Sequence, residues 1–243
     1  MRWGDIISRP HCIPLGPRSQ ERLLLETTES LEALEADNIS YFAERFSTSE
    51  QWRVLAKYFP RASFLDTETT GLSIYREKIT TAACYHRGKM HVFMRNENLK
   101  DLLALLEEVE LLISFNGKSF DVHFVLNEFN IPSLPCPHID LRWICYHSGL
   151  RKGLKEIERH CGIKRRTEIE NVDGYEAVLL WNDWISNKKV ASRERLLQYC
   201  KADVVALVQI SREVLARNKV SVNIPDFTTI TSAQMPLTGL RSF

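Results

Sequence analysis

The sequence carries almost no net charge. Its 32 Lys and Arg stand against 31 Asp and Glu, a formal charge of +1. That excludes a global basic field, so any polyanion must be met by a local patch. The chain also lacks a C-x-x-C pair. Its six cysteines, Cys12, Cys84, Cys136, Cys145, Cys161 and Cys200, are scattered. They read as reduced, buried thiols of a cytosolic protein rather than a disulfide framework. Cys136 and His138 follow His123, yet no second ligand pair has metal spacing, which disfavours a zinc site. No run approaches the roughly 18 apolar residues of a membrane span. Met1-Arg2-Trp3-Gly4-Asp5 contains no apolar signal-peptide core. The expectation is a cytoplasmic protein with no membrane partner. There is no internal repeat and no low-complexity tract. The 243 residues, 44% apolar and 26% charged, suffice for one large domain plus a small accessory piece.

Residues 1–16 are Pro-rich (Pro10, Pro14) and read as a loop or arm. Leu23, Leu24, Leu31 and Leu34 predict a helix over 18–36, broken near Thr27-Thr28. Ile39, Tyr41, Phe42 and Phe46 predict a short helix over 39–46. Thr48-Ser49-Glu50-Gln51 has capping-box form and predicts a helix through Tyr58, ended by Pro60. Residues 1–60 therefore form a helical accessory segment. Strands follow over Ala62–Asp66, Lys78–Tyr85 and Lys89–Arg95, with Arg87-Gly88 as a turn. An amphipathic helix over Leu99–Glu108 leads to a buried strand, Leu111–Ser114, expected to run parallel to the first. That βββαβ order is the pattern of a ribonuclease-H-like α/β fold: a mixed five-stranded sheet with flanking helices. Further expectations are a helix starting near Asp121, a short strand at Ile139-Asp140, and a helix capped by Asp140. Helices over 153–161, 174–187 and 191–217 complete a domain of residues 61–217. The Ser/Thr/Pro-rich residues 218–243 read as a tail.

The chemistry starts at Phe64-Leu65-Asp66-Thr67-Glu68-Thr69-Thr70-Gly71-Leu72. Side chains alternate along a strand, so Asp66 and Glu68 share one face. Two carboxylates side by side repel unless a cation sits between them. Mg²⁺ suits that position, because it takes hard oxygen ligands and keeps positions open. Asp121, at a helix start beyond a strand end, lies where open α/β sheets bind ligands. Asp203 lies on a late helix, four residues after Tyr199 and on the same face. A two-metal phosphodiester hydrolase needs such a set, with ions about 3.5–4 Å apart. Tyr199 is better suited to orienting a water than to deprotonating it, since a free phenol titrates near about 10.

Three segments carry a resemblance: Leu65-Asp66-Thr67-Glu68-Thr69-Thr70-Gly71-Leu72, Phe115-Asn116-Gly117-Lys118-Ser119-Phe120-Asp121, and Tyr199-Cys200-Lys201-Ala202-Asp203. They resemble the exonuclease motifs of the DEDD (DnaQ-like) 3′–5′ exonuclease superfamily. His138-Ile139-Asp140-Leu141, Gly153-Leu154-Lys155, Ile157-Glu158 and Gly162-Ile163 narrow this to the ribonuclease-H-like exonuclease domains of the YprB type. The resemblance covers roughly residues 38–217. It implies two ions, Mg²⁺ or Mn²⁺, held by Asp66, Glu68, Asp121 and Asp203, with Asp66 bridging them. It implies Tyr199 at the water, as in the Tyr-type branch, where many YprB-type relatives have His. Substrate contacts would come from Thr69, Gly71, Leu72, Asn116 and Lys118. The implied partner is a single-stranded 3′ end of DNA or RNA, and the implied products are nucleoside monophosphates.

Blander readings stand beside these. Asp121 equally suits a helix N-terminus, Asn116 a turn, and Tyr199 a half-buried core position. The basic residues Arg151, Lys152, Lys155, Lys164, Arg165 and Arg166, and the later Lys188, Lys189, Arg193 and Arg195, fit a phosphate track or a solvated face. Two alternatives to an exonuclease remain: a nucleic-acid-binding module without turnover, and a structure-specific endonuclease.

Overall fold

A computed structural model describes residues 7–8, 13–222 and 237–238. The arm expected over residues 1–16 and the tail expected over 218–243 lie largely outside the described residues. The chain divides into two compact units, Met1–Arg45 and Phe46–Phe243.

The first unit holds α1 (Pro17–Glu35) and α2 (Ile39–Arg45). The break expected at Thr27-Thr28 is absent, and α1 is one helix of 19 residues. Thr28 Oγ1 donates to the Leu24 carbonyl at 3.0 Å, and Ser30 Oγ to the Glu26 carbonyl at 2.6 Å. The Thr28 and Ser30 hydroxyls are satisfied inside the helix and do not compete with it, whereas Thr27 Oγ1 is buried without a partner.

The second unit opens with α3 (Trp52–Tyr58) and a single 3₁₀ turn, Phe59–Arg61, at Pro60. The expected capping box does not form. Gln51 occupies the N-cap without a side-chain capping bond to the helix, and residues 48–51 form a turn closed by Gln51 N–H on the Ser47 carbonyl at 3.1 Å. The sheet consists of β1 (Ala62–Thr69), β2 (Ile79–His86), β3 (Lys89–Met94), β4 (Leu111–Ser114) and β5 (His138–Asp140). A two-residue strand, β6 (Leu237–Thr238), lies parallel to β3 at the far edge. The order is β5-β4-β1-β2-β3-β6, with β1–β2 and β2–β3 antiparallel and β1–β4 and β4–β5 parallel. The mixed sheet with flanking helices is the expected ribonuclease-H-like α/β fold. Arg87 and Gly88 both have positive φ, 46° and 80°, as a tight hairpin turn demands.

The helices are α4 (Asp101–Glu107), α5 (Asp121–Phe129), α6 (Leu141–His147), α7 (Leu154–His160), α8 (Gly174–Asn187) and α9 (Val190–Arg217). Apolar residues cover both faces of β1. Leu65 belongs to a core with Leu102, Leu106, Phe124 and Val125, which come from α4 and α5. The opposite face carries α9, which packs on β1 and β2. Leu196, Leu197, Cys200, Val204, Leu207 and Val208 form its buried stripe. β1 is longer than expected: it stays paired to Thr69, with a register shift between Glu68 and Thr69. Both acidic positions therefore sit on rigid strand rather than in a loop.

Candidate active site

Strand alternation and α9 together bring three acids to one point. Asp66, Glu68 and Asp203 each offer a carboxylate oxygen, and these oxygens lie within 4.8 Å of one another. Asp203 belongs to the buried stripe of α9, and Cys200 Sγ, one turn earlier, lies 3.7 Å from the Asp66 carbonyl. Asp66 Oδ2 is buried without a hydrogen-bond partner. Burial first, and then the charges of Asp203, Glu68 and Asp121, push the Asp66 carboxyl well above its usual range. Glu68 is raised well above its range by burial, Asp203 and Asp121, and Asp203 is raised by burial. Crowded hard oxygens, one of them orphaned, are a donor set that fits a divalent cation.

Asp121 lies outside that group of three. Its Oδ1 accepts the Thr67 N–H at 3.0 Å and the Thr67 hydroxyl at 2.6 Å, which ties α5 to the middle of β1. Burial raises its carboxyl to about 6 against the pull of those bonds. It lines the same cleft as the other three.

One cation is already present in the site. Arg165 is 7% exposed and pairs with Glu158 through Nε at 2.7 Å and Nη2 at 2.5 Å. Nη2 also reaches Asp203. Arg165 is thus a buried counterion, not the phosphate-tracking surface residue that its Lys-Arg-Arg run suggests. Glu158, from α7, is its second anchor. Arg193 and Arg195 are likewise engaged, with Glu97 at 2.7 Å and Glu176 at 3.0 Å. No spacing rule separates a buried arginine from the solvated ones beside it. The available signal was the acidic set itself, which requires a countercharge.

Tyr199 is 6% exposed and lines the cleft. Lys155 Nζ and Arg165 Cζ lie 5.2 and 5.3 Å from its ring centre. Burial, followed by Asp203, Glu68 and Asp66, pushes its phenol upward. The hydroxyl therefore stays protonated and is suited to orienting a neighbour, not to taking its proton.

The loop before α5 is built on Asp140, which is fully buried. Its carboxylate accepts the N–H groups of Asn116 at 2.8 Å, Lys118 at 3.1 Å and Arg142 at 3.0 Å. The expected helix cap is therefore also a clamp on the second motif. Asn116, at φ 64°, fills the turn position and accepts a bond from Arg142. Gly117 packs directly on Ser114, whose hydroxyl pairs with His138 Nε2 at 2.8 Å. That pairing places His138 beside the loop, and Cys136 packs in the apolar core.

An open cleft of about 860 Å³ runs over these groups. Of the residues expected at substrate, Asn116 lines it, while Thr69, Gly71, Leu72 and Lys118 do not. Thr69 donates to the Gly71 carbonyl at 2.6 Å, and Leu72 is 86% exposed. Arg142, Trp143, Tyr146, Arg151 and Lys152 also line the cleft. Trp143 and Tyr146 escaped the sequence reading because α6 is too short for its exposed face to be read from periodicity.

Comparison with solved structures finds a family B DNA polymerase from the hyperthermophilic archaeon Pyrobaculum calidifontis, at a TM-score of 0.52 and 15% identity. The match covers 63% of this chain and 24% of the polymerase, so this chain spans about a quarter of that protein's length. At that identity the likeness is one of fold. Brucella melitensis NrnC is similar at a TM-score of 0.47 and 21% identity, over 69% of this chain and 79% of NrnC. No curated protein matches. The model of one family, the RNase H superfamily, matches residues 63–215. That stretch runs from β1 through nearly all of α9, more than half of the chain and every acidic residue of the site: the chain belongs to the RNase H superfamily.

Proposed function

We propose that this chain is a metal-dependent 3′–5′ exonuclease of the DEDD type. It hydrolyses phosphodiesters of single-stranded or frayed nucleic acid and releases nucleoside monophosphates. The observation that carries this reading is the trio Asp66, Glu68 and Asp203, the first half-buried and the other two buried, converging within 4.8 Å in the lining of an open cleft. In this reading Asp66, Glu68, Asp121 and Asp203 would hold two divalent cations, Mg²⁺ or Mn²⁺, with Asp66 as the ligand that both would share. Bound ions of this kind neutralise phosphate charge and activate the attacking water. The chain's own part is placement. β1 fixes Asp66 and Glu68, α9 brings Asp203, and Thr67 holds Asp121. Tyr199 orients the nucleophile from the cleft wall. Residues 61–217 form the catalytic segment, residues 1–60 an accessory segment whose last stretch, from Phe46, belongs to the second compact unit, and residues 218–243 a tail.

Asp66→Asn and Asp203→Ala are expected to abolish Mg²⁺- or Mn²⁺-dependent degradation of an end-labelled oligonucleotide while the fold stays intact by circular dichroism. Wild-type rates in either variant would overturn the assignment. One observation favours the competing reading, a nucleic-acid-binding module without turnover: Arg165 already engages Asp203. Wild type that binds strands but releases no nucleotide with either metal would select that reading.

A further inference from the structure

α6 turns two faces to its surroundings. Leu141, Ile144 and Cys145 are buried. Trp143 and Tyr146 are left outside, 38% and 42% exposed. Three residues apart on a helix, they are neighbours. Their ring centres lie 6.1 Å apart, with planes at 65°. Each ring has a guanidinium beside it: Arg142 Cζ lies 5.8 Å from the Trp143 ring centre, and Arg151 Cζ 4.9 Å from that of Tyr146. Arg142 is itself held, since its guanidinium donates to Asn116 Oδ1. Both rings line the cleft that contains Asp66 and Glu68.

The lining of this cleft mixes two kinds of group. Asp66, Glu68, Asp121 and Asp203 repel a bare phosphate backbone. Arg142, Arg151 and Lys152 are exposed basic groups beside the exposed side chains Trp143 and Tyr146. Basic groups that attract a backbone, interleaved with rings that accept any base, are the elements of a single-strand groove. An aromatic ring gains little by staying in water, whereas a base stacked on it removes apolar area from both partners.

We propose that Trp143 and Tyr146, flanked by Arg142 and Arg151, form a stacking platform for bases of a single-stranded nucleic acid whose backbone leads to the carboxylates. The direction of the strand rests on the exonuclease reading, but the platform does not. Stacking of this kind tolerates every base, so the platform confers affinity for single strands without sequence preference.

The test is fluorescence anisotropy with a short fluorescein-labelled oligothymidylate and an abasic strand of equal length. It is run in Ca²⁺ buffer, with strand integrity checked on a gel. Trp143→Ala and Tyr146→Ala are each expected to weaken binding of the base-bearing strand roughly 5- to 150-fold. The abasic strand should bind wild type and variants alike, and Trp143→Phe and Tyr146→Phe should retain most of the affinity. Unchanged binding of oligothymidylate by both alanine variants would overturn the platform. Equal losses for both strands would overturn it as well, by showing a general structural effect. Failure of the exonuclease reading looks different: binding would depend on the platform, yet no mononucleotide would be released in Mg²⁺.

Discussion

Replacing Arg165 with Met tests the electrostatics of the site. The guanidinium makes two bonds to Glu158, at 2.7 and 2.5 Å, and one to Asp203. Arg165 is 7% exposed, Glu158 4% and Asp203 5%. Removing one member of a buried ion group leaves uncompensated charge and costs about 3–5 kcal/mol. For a chain of this size that corresponds to a fall in Tm of roughly 6–20 °C. Arg165→Met also leaves Asp66, Glu68 and Asp203 without their nearest cation. A divalent ion should then stabilise the variant more than it stabilises wild type, because only the variant lacks the competing charge. The assay is thermal unfolding with and without Mn²⁺, in wild type, Arg165→Met and the double variant Glu158→Gln/Arg165→Met. The expected result is a large loss without metal, a larger metal-induced rise in Tm for Arg165→Met, and partial recovery in the double variant. If Mn²⁺ raises the Tm of wild type and Arg165→Met equally, Arg165 is not the countercharge of these acids.

Three further outcomes follow from the loop that presents Asp121. Asp140→Ala removes the acceptor for three backbone N–H groups. Urea unfolding should show a loss of about 3 kcal/mol or more, and a cost below about 1 kcal/mol would mean that water replaces the carboxylate freely. Gly117→Ala sets a Cβ 1.8 Å from Ser114 Oγ and 2.8 Å from Ser114 Cβ, so the turn must shift. A stability loss of about 1–3 kcal/mol is expected, read by thermal unfolding, and wild-type stability would contradict this packing. His138 is pushed down to about 4 from 6.5, by burial first and by Lys118 second. It stays neutral in the fold, so its contribution is full above 6.5 and is lost as pH falls toward 4. Wild type should lose up to about 3 kcal/mol more than His138→Asn across that window, and parallel pH profiles would refute it.

Much of this fold is legible in the sequence because its elements repeat a period. Leu111–Ser114 and Gly174–Asn187 have the bounds expected of them, the first as a pure apolar run and the second as a capped helical stripe. Polar residues cause the misses. Thr27-Thr28 and the Thr48–Gln51 box carry hydroxyls that serve a helix or a turn equally well, and tertiary packing decides between them. β1 outlasts its apolar run because Glu68 and Thr69 keep pairing with β2. Strand alternation brings Asp66 and Glu68 to one face, and the helical stripe adds Asp203. The standoff of Asp121 from that trio depends on its bonds to Thr67, which no spacing encodes. Arg165 and the Trp143–Tyr146 face are likewise products of assembly: one looks like surface charge and the other like an ordinary short helix.

The central claim is that the carboxylate cluster hydrolyses nucleic-acid ends in the presence of a divalent ion. The most direct measurement is a time course in Mg²⁺ on a 5′-labelled linear single strand and its circular counterpart. The expected result is a ladder that shortens from the 3′ end of the linear strand, and an intact circle. A linearised circle would contradict the exonuclease direction, and two intact substrates would contradict the enzyme.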